Sequence, residues 1–142
     1  MPRTIFWSQL LEAEIALAGG SSQAAVAAAR KMQLLDFPGM NTAQIASYNV
    51  PLLKDILARA YWKAGDLDKA AAEYRKLMTV DPANQYRYLI HPVYHYRLGR
   101  VLEEKGDKQG AAAEYRRFLE LFKDADKSFT EPADARKRLA AL

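Results

Sequence analysis

An eleven-residue block occurs twice in this chain. Residues 65–75 read GDLDKAAAEYR and residues 106–116 read GDKQGAAAEYR, eight positions being identical at an offset of 41. Such a duplication points to stacked repeats, in which each unit buries its apolar face against its neighbours. A fainter third copy lies upstream. Gly20, Ser21, Ala25, Arg30 and Lys31 precede Gly65, Asp66, Ala70, Arg75 and Lys76 by 45 residues.

The block has a helix–turn–helix logic. Glycine adopts positive φ at no steric cost and so ends a helix. Ser21, Asp66 or Asp107 follows, and a short side-chain oxygen there suits an N-cap. Apolar residues then recur at helical spacing, through Ala70, Tyr74, Leu77 and Met78 in one copy. The other copy runs through Ala111, Tyr115, Phe118, Leu119 and Phe122. Extended along the chain, this predicts seven helices, near 4–18, 22–34, 50–64, 67–80, 92–105, 108–122 and 131–141. Pro51 and Pro92 suit first-turn positions. Pro82 ends the fourth helix, and Phe37 to Met40 reads as a linker. Thr130 is the expected cap of the last helix, with Pro132 in its first turn.

Composition excludes several classes. The 142 residues suit one domain and include no cysteine, so disulfides and thiolate metal sites are ruled out. The net charge of +4 is only mildly basic. Arg3 precedes Ile5, Phe6 and Trp7 as a targeting signal would have it, but Glu12 and Glu14 interrupt the apolar stretch. No run approaches the length of a membrane-spanning helix, and the expected compartment is the cytoplasm.

These residues resemble the tetratricopeptide repeat family. With the turn glycine at position 15 of a 34-residue repeat, the family favours large apolar residues at 4, 7, 11, 24 and 27. It favours small ones at 8 and 20, and proline at 32. The second repeat matches with Leu57, Ala58, Tyr61, Ala70, Tyr74, Leu77 and Pro82, and the third with Leu98, Gly99, Leu102, Ala111, Tyr115 and Phe118. The first, counted from Gly20, offers Ala13, Ala25 and Met32. Counting from Gly19 would instead place Leu11 and Ile15 at positions 7 and 11. Asn49 to Leu142 also resembles, loosely, the tail of larger bacterial repeat proteins.

The resemblance implies an all-α, right-handed superhelix of three helix pairs, the first degenerate, at about 6–37, 51–84 and 92–125. A terminal helix at 131–141 would cap it, making one domain of residues 1–142. It also implies a concave groove lined by first helices, which takes a protein or peptide partner without catalysis. Positions 2, 5, 9 and 12 would face that groove. They are Trp7, Leu10, Glu14 and Leu17, then Leu52, Asp55, Arg59 and Trp62, then Val93, Tyr96, Arg100 and Glu103.

Residues 82–102 contain no acid but hold Arg87, Arg97, Arg100, His91, His95 and the tyrosines 86, 88, 94 and 96. Arginine forks among tyrosines suit an acidic partner. Asp55, Arg59, Trp62, Tyr96, Arg97 and Arg100 are therefore the candidate partner-binding residues. A structural alternative stands beside this, in which Asp55 and Glu14 pair with Arg59, Arg97 or Arg100 to tie repeats together. The family's carboxylate clamp is not expected, since only Arg97 fits its positions. The runner-up function is an anionic ligand or single-stranded nucleic acid, opposed by Asp55, Glu14 and Glu103 in the same groove. His91 and His95 lack the intervening carboxylate of an HExxH site, and no P-loop or nucleophile elbow is present. No enzyme activity, metal or cofactor is expected. Self-association is expected, if anywhere, at the N-terminal face around Ile5, Phe6 and Trp7.

Overall fold

A computed structural model describes residues 2–32, 51–79, 90–124 and 128–142, excluding the side chains of 2–6 and 52–53. The expectations for Pro82, the linker and tyrosines 86 and 88 lie outside the described residues, as does Arg87. The described residues are helical throughout: α1 (Pro2–Ala18), α2 (Ser22–Lys31), α3 (Pro51–Lys54), α4 (Ile56–Lys63), α5 (Leu67–Met78), α6 (Val93–Lys105), α7 (Lys108–Leu121) and α8 (Glu131–Ala141). α1 packs on α2, α2 packs on α4, each helix from α3 onward packs on the next, and α4 also touches α1. The fold is an all-α helical repeat.

The turns repeat atom for atom. Gly20, Gly65 and Gly106 have φ of 77°, 80° and 87°, a region that an L side chain resists. The following amide reaches back to close the helix, Ser21 to Ala16, Asp66 to Tyr61 and Asp107 to Leu102, at 2.8–3.0 Å. Gly20, and not Gly19, is thus the turn residue of the first pair. Asp66 and Asp107 then cap their helices by accepting from the amides of Lys69 (3.3 Å) and Gly110 (2.9 Å). Two cap expectations fail. Ser21 and Thr130 occupy N-cap positions, but neither side chain bonds the helix.

Small and large residues interlock between the helices. Ala58, Ala70 and Ala111 are fully buried, and Tyr74, Tyr115, Leu98 and Phe118 fill the space beside them. Gly99 shows why size matters at its position: a Cβ there would lie 2.7 Å from the Tyr115 ring. A smaller cluster of Leu10, Ala13, Ala28, Ala29 and Ile56 joins the first pair to the second. The last helix inserts Ala135 into the main core.

The expected helix over 50–64 is broken at Asp55, where φ is −98° and ψ 11°. The backbone bonds nevertheless continue, from the Asp55 amide to Pro51 (3.1 Å) and from the Arg59 amide to Asp55 (2.9 Å). Pro92 is the N-cap of α6 and not a first-turn residue. No helix among the described residues is long and apolar enough to cross a membrane.

Candidate functional site

The first helices of the pairs carry a row of charges, and its centre is Asp55. This carboxylate has no exposed surface. It accepts from Arg59 Nε at 3.0 Å, from Arg97 and from the Tyr74 hydroxyl at 3.4 Å. A buried charge is tolerable only when paired and hydrogen-bonded, and three donors from α4, α6 and α5 meet that need. Arg59 reaches on to Glu14 of α1, its Nη1 at 3.1 Å. Burial disfavours the Arg59 cation, but the bond to Glu14 and the charges of Asp55 and Glu14 raise its pKa overall. A continuous chain of alternating charges, Glu14–Arg59–Asp55–Arg97, thus links three successive first helices.

A second network spans α6, α7 and α8. The Tyr96 hydroxyl donates to Asp134 at 2.7 Å. Arg138 donates to Asp134 at 2.5 Å and to Glu103 at 3.1 Å, and the Tyr115 hydroxyl donates to Glu103 at 2.5 Å. Desolvation acts to raise the Asp134 pKa, yet the bonds from Tyr96 and Arg138 hold it below the usual carboxylate range. These pairs close the last repeat onto its cap.

Arg100 lies between the two networks. Its guanidinium sits 5.5 Å from the centre of the Trp62 ring, within cation–π range, and Nη1 is 3.4 Å from the Tyr96 hydroxyl. Among the described residues it forms no ion pair. Trp62 donates from Nε1 to Glu104 at 2.8 Å, which fixes the ring plane. Trp62, Tyr96 and Arg100 are all half-buried, so each presents one side outward.

The six candidate residues therefore divide. Arg59 and Arg97 hold carboxylates, as the alternative of inter-repeat pairing anticipated. Asp55 is corrected from a partner contact to a buried ion-pair centre, because nothing outside can reach it. Trp62, Tyr96 and Arg100 come together. Other expected groove positions are closed, Leu10 and Val93 both being buried.

The acid-free stretch also changes character on folding. Tyr94 is fully buried, Arg97 is taken by Asp55, and His95 Nδ1 lies 2.7 Å from Glu114. Burial and the nearby Arg97 lower the pKa of His91. On the inner row, Arg59, Arg97, Arg100 and Arg138 face Glu14, Asp55, Glu103, Glu104 and Asp134. That face is close to charge-balanced. Glu104, Asp134 and Arg138 were absent from the sequence-based candidates. The i,i+4 spacing of Asp134 and Arg138 was the one available signal.

No group of three or more potential metal-ligating side chains occurs among the described residues. Paired helices, turn glycines and interlocked alanines define a helical-repeat protein. Two family models described as tetratricopeptide repeat match the chain, one over residues 55–84 and one over 94–125. The chain is a tetratricopeptide repeat protein, and such repeats generally mediate protein–protein interaction, typically as non-catalytic scaffolds. No curated protein matches it.

Proposed function

We propose that this chain is a non-catalytic scaffold that binds a protein or peptide segment on its row of first helices, through Trp62, Tyr96 and Arg100. The observation that carries the reading is the division of the arginines. Arg59, Arg97 and Arg138 are committed to carboxylates, while Arg100 is stacked on an indole and, among the described residues, forms no ion pair. A stacked guanidinium is pre-oriented, so little freedom is lost when it meets an acceptor. Aromatic and arginine side chains in one patch are the usual anchors of a protein interface. The charge balance of the row favours a partner that brings one carboxylate or carbonyl to Arg100 and apolar surface to Trp62, in preference to a polyanion. Nucleic acid would meet Glu14, Glu103, Glu104 and Asp134 along the same row.

The test is affinity capture on the immobilised chain, with Arg100→Ala and Trp62→Ala compared against wild type. Both variants are expected to lose the same captured proteins while retaining wild-type helical content. Capture unchanged in both would reject the assignment of the patch. Arg59→Ala serves as a contrast: it is expected to lower the melting temperature first, because it breaks the tie to Glu14 and Asp55.

A further inference from the structure

The first helices of the second and third pairs bury one face, and on α1 the residues Leu11 and Ile15 of that face are exposed. Counted from the turn glycine, Ile15, Ala60 and Val101 are equivalent, as are Leu11, Ile56 and the Asp55-paired Arg97, and Trp7, Leu52 and Val93. Ala60, Val101, Ile56 and Val93 are buried, because α4 lies on α2 and α6 lies on α5. Ile15 is 64% exposed, Leu11 60% and Trp7 50%. Leu11 and Ile15, one helical turn apart on one side of α1, form an exposed apolar stripe. Beside it lies a shallow depression of about 670 Å³, lined by Ser8, Leu11, Glu12, Ile15, Ala16 and Ala24 among others.

We infer that this stripe docks an amphipathic helix of another protein, one with small apolar residues on the docking side and a lysine or arginine at its edge. The inter-repeat interface supplies the argument for the occupant. Wherever the equivalent face is covered, what covers it is an alanine-faced second helix. α2 bears buried Ala25, Ala28 and Ala29, and α5 bears buried Ala70 and Ala71. Leu11 matches Ile56 in size and Ile15 is larger than Ala60, which accepts α2, so a helix with small side chains has the complementary relief. The rim supplies the charge. Glu12 is exposed and is the one charged residue lining the depression among the described residues. The same charge disfavours a second copy, since two α1 stripes set face to face would bring two Glu12 carboxylates toward each other. This is a helix-in-groove mode of recognition, separate from the patch around Arg100.

The chain's own α2 provides a probe, because it is the helix that covers the equivalent face of α4. A blocked peptide of residues 21–32 carries the alanine face and, as its only charges, Arg30 and Lys31. It is titrated into the isotopically labelled protein and followed by amide shifts. So short a helix is marginal alone, so a dissociation constant on the order of 1 mM is expected. Saturable shifts are expected at Leu11, Glu12, Ile15 and Ala24, and are expected to vanish in the double variant Leu11→Gln, Ile15→Gln. Both residues are exposed, so that variant keeps the fold. Glu12→Gln is expected to weaken the peptide two- to fivefold at low salt, as a rim charge does.

No shift at several times that peptide concentration would overturn the inference. So would shifts that persist in the double variant. Light scattering that finds a dimer dissociated by Leu11→Gln, Ile15→Gln would also overturn it, by giving the face to a second copy. Arg100→Ala is expected to leave the titration unchanged, so failure here and failure at the Arg100 patch are separable.

Discussion

Replacing Arg97 with methionine isolates the cost of the buried carboxylate. The substitution keeps most of the side-chain stem and removes the guanidinium that bonds Asp55. Asp55, which has no exposed surface, would retain the Arg59 bond at 3.0 Å and the long Tyr74 bond at 3.4 Å. Removing one partner of a buried pair costs about 3–5 kcal/mol, and the surviving Arg59 bond places this case near 3. In urea unfolding followed by circular dichroism, an m-value of about 2 kcal/mol/M turns that loss into a midpoint lower by about 1.5 M. The double variant Asp55→Leu, Arg97→Met removes the stranded charge as well. It is expected to be more stable than Arg97→Met alone, with a coupling of about 2 kcal/mol across the cycle. A loss below about 1 kcal/mol for Arg97→Met, the range of exposed ion pairs, would refute the reasoning, as would additive effects in the cycle.

Three further outcomes are expected. Gly99→Ala should lower the melting temperature by about 2–4 °C, because overpacking against Tyr115 outweighs a helix-propensity gain of about 1 kcal/mol. Adding Tyr115→Leu should abolish the penalty specific to Gly99→Ala, and a penalty that survives would exclude the ring contact as its cause. The Tyr94 hydroxyl is buried with no hydrogen-bond partner among the described residues, so Tyr94→Phe should leave stability unchanged or raise it by up to about 1 kcal/mol. Tyr74→Phe, which loses a bond to Asp55, should lower it, and the reverse order in calorimetry would contradict the hydrogen-bond assignment. His91 should titrate by NMR below its ordinary value of 6.5, because burial and Arg97 favour the neutral ring. A group depressed in this way binds protons more readily when unfolded, so its contribution to stability falls as pH drops through 6.5 toward the folded value. A midpoint at or above 6.5 would disprove that environment.

The helix pairs were legible in the sequence because their signals are local. Gly65 and Asp66, like Gly106 and Asp107, announce a stop and a start within two residues, and the turn geometry follows from their own backbone and side chain. Ser21 and Thr130 carry a weaker form of the same signal, and there the cap bond does not form. The register of the first pair was ambiguous from apolar spacing, since Leu11 and Ile15 fit core positions when counted from Gly19. The positive φ of Gly20 resolves it and leaves both residues on the surface.

The candidate site was only partly legible, because charge balance on a face is set by neighbours distant in sequence. Residues 82–102 contain no acid, yet folding brings Asp55, Glu114 and Asp134 to the side chains of Arg97, His95 and Tyr96. Reading one segment overstated how basic the surface would be. Which arginine stays uncommitted is a property of three helices at once.

Local chemistry by itself determined the pairing of helices, the turn residues and the small-against-large core. Each depends on a backbone angle or a side-chain volume that a few adjacent residues specify. Stacking decided that Asp55 is a buried ion-pair centre, that Arg100 rests on Trp62, and that α1 exposes the face its counterparts bury. Those outcomes depend on which helix lies against which, a long-range arrangement that no short stretch of chain encodes.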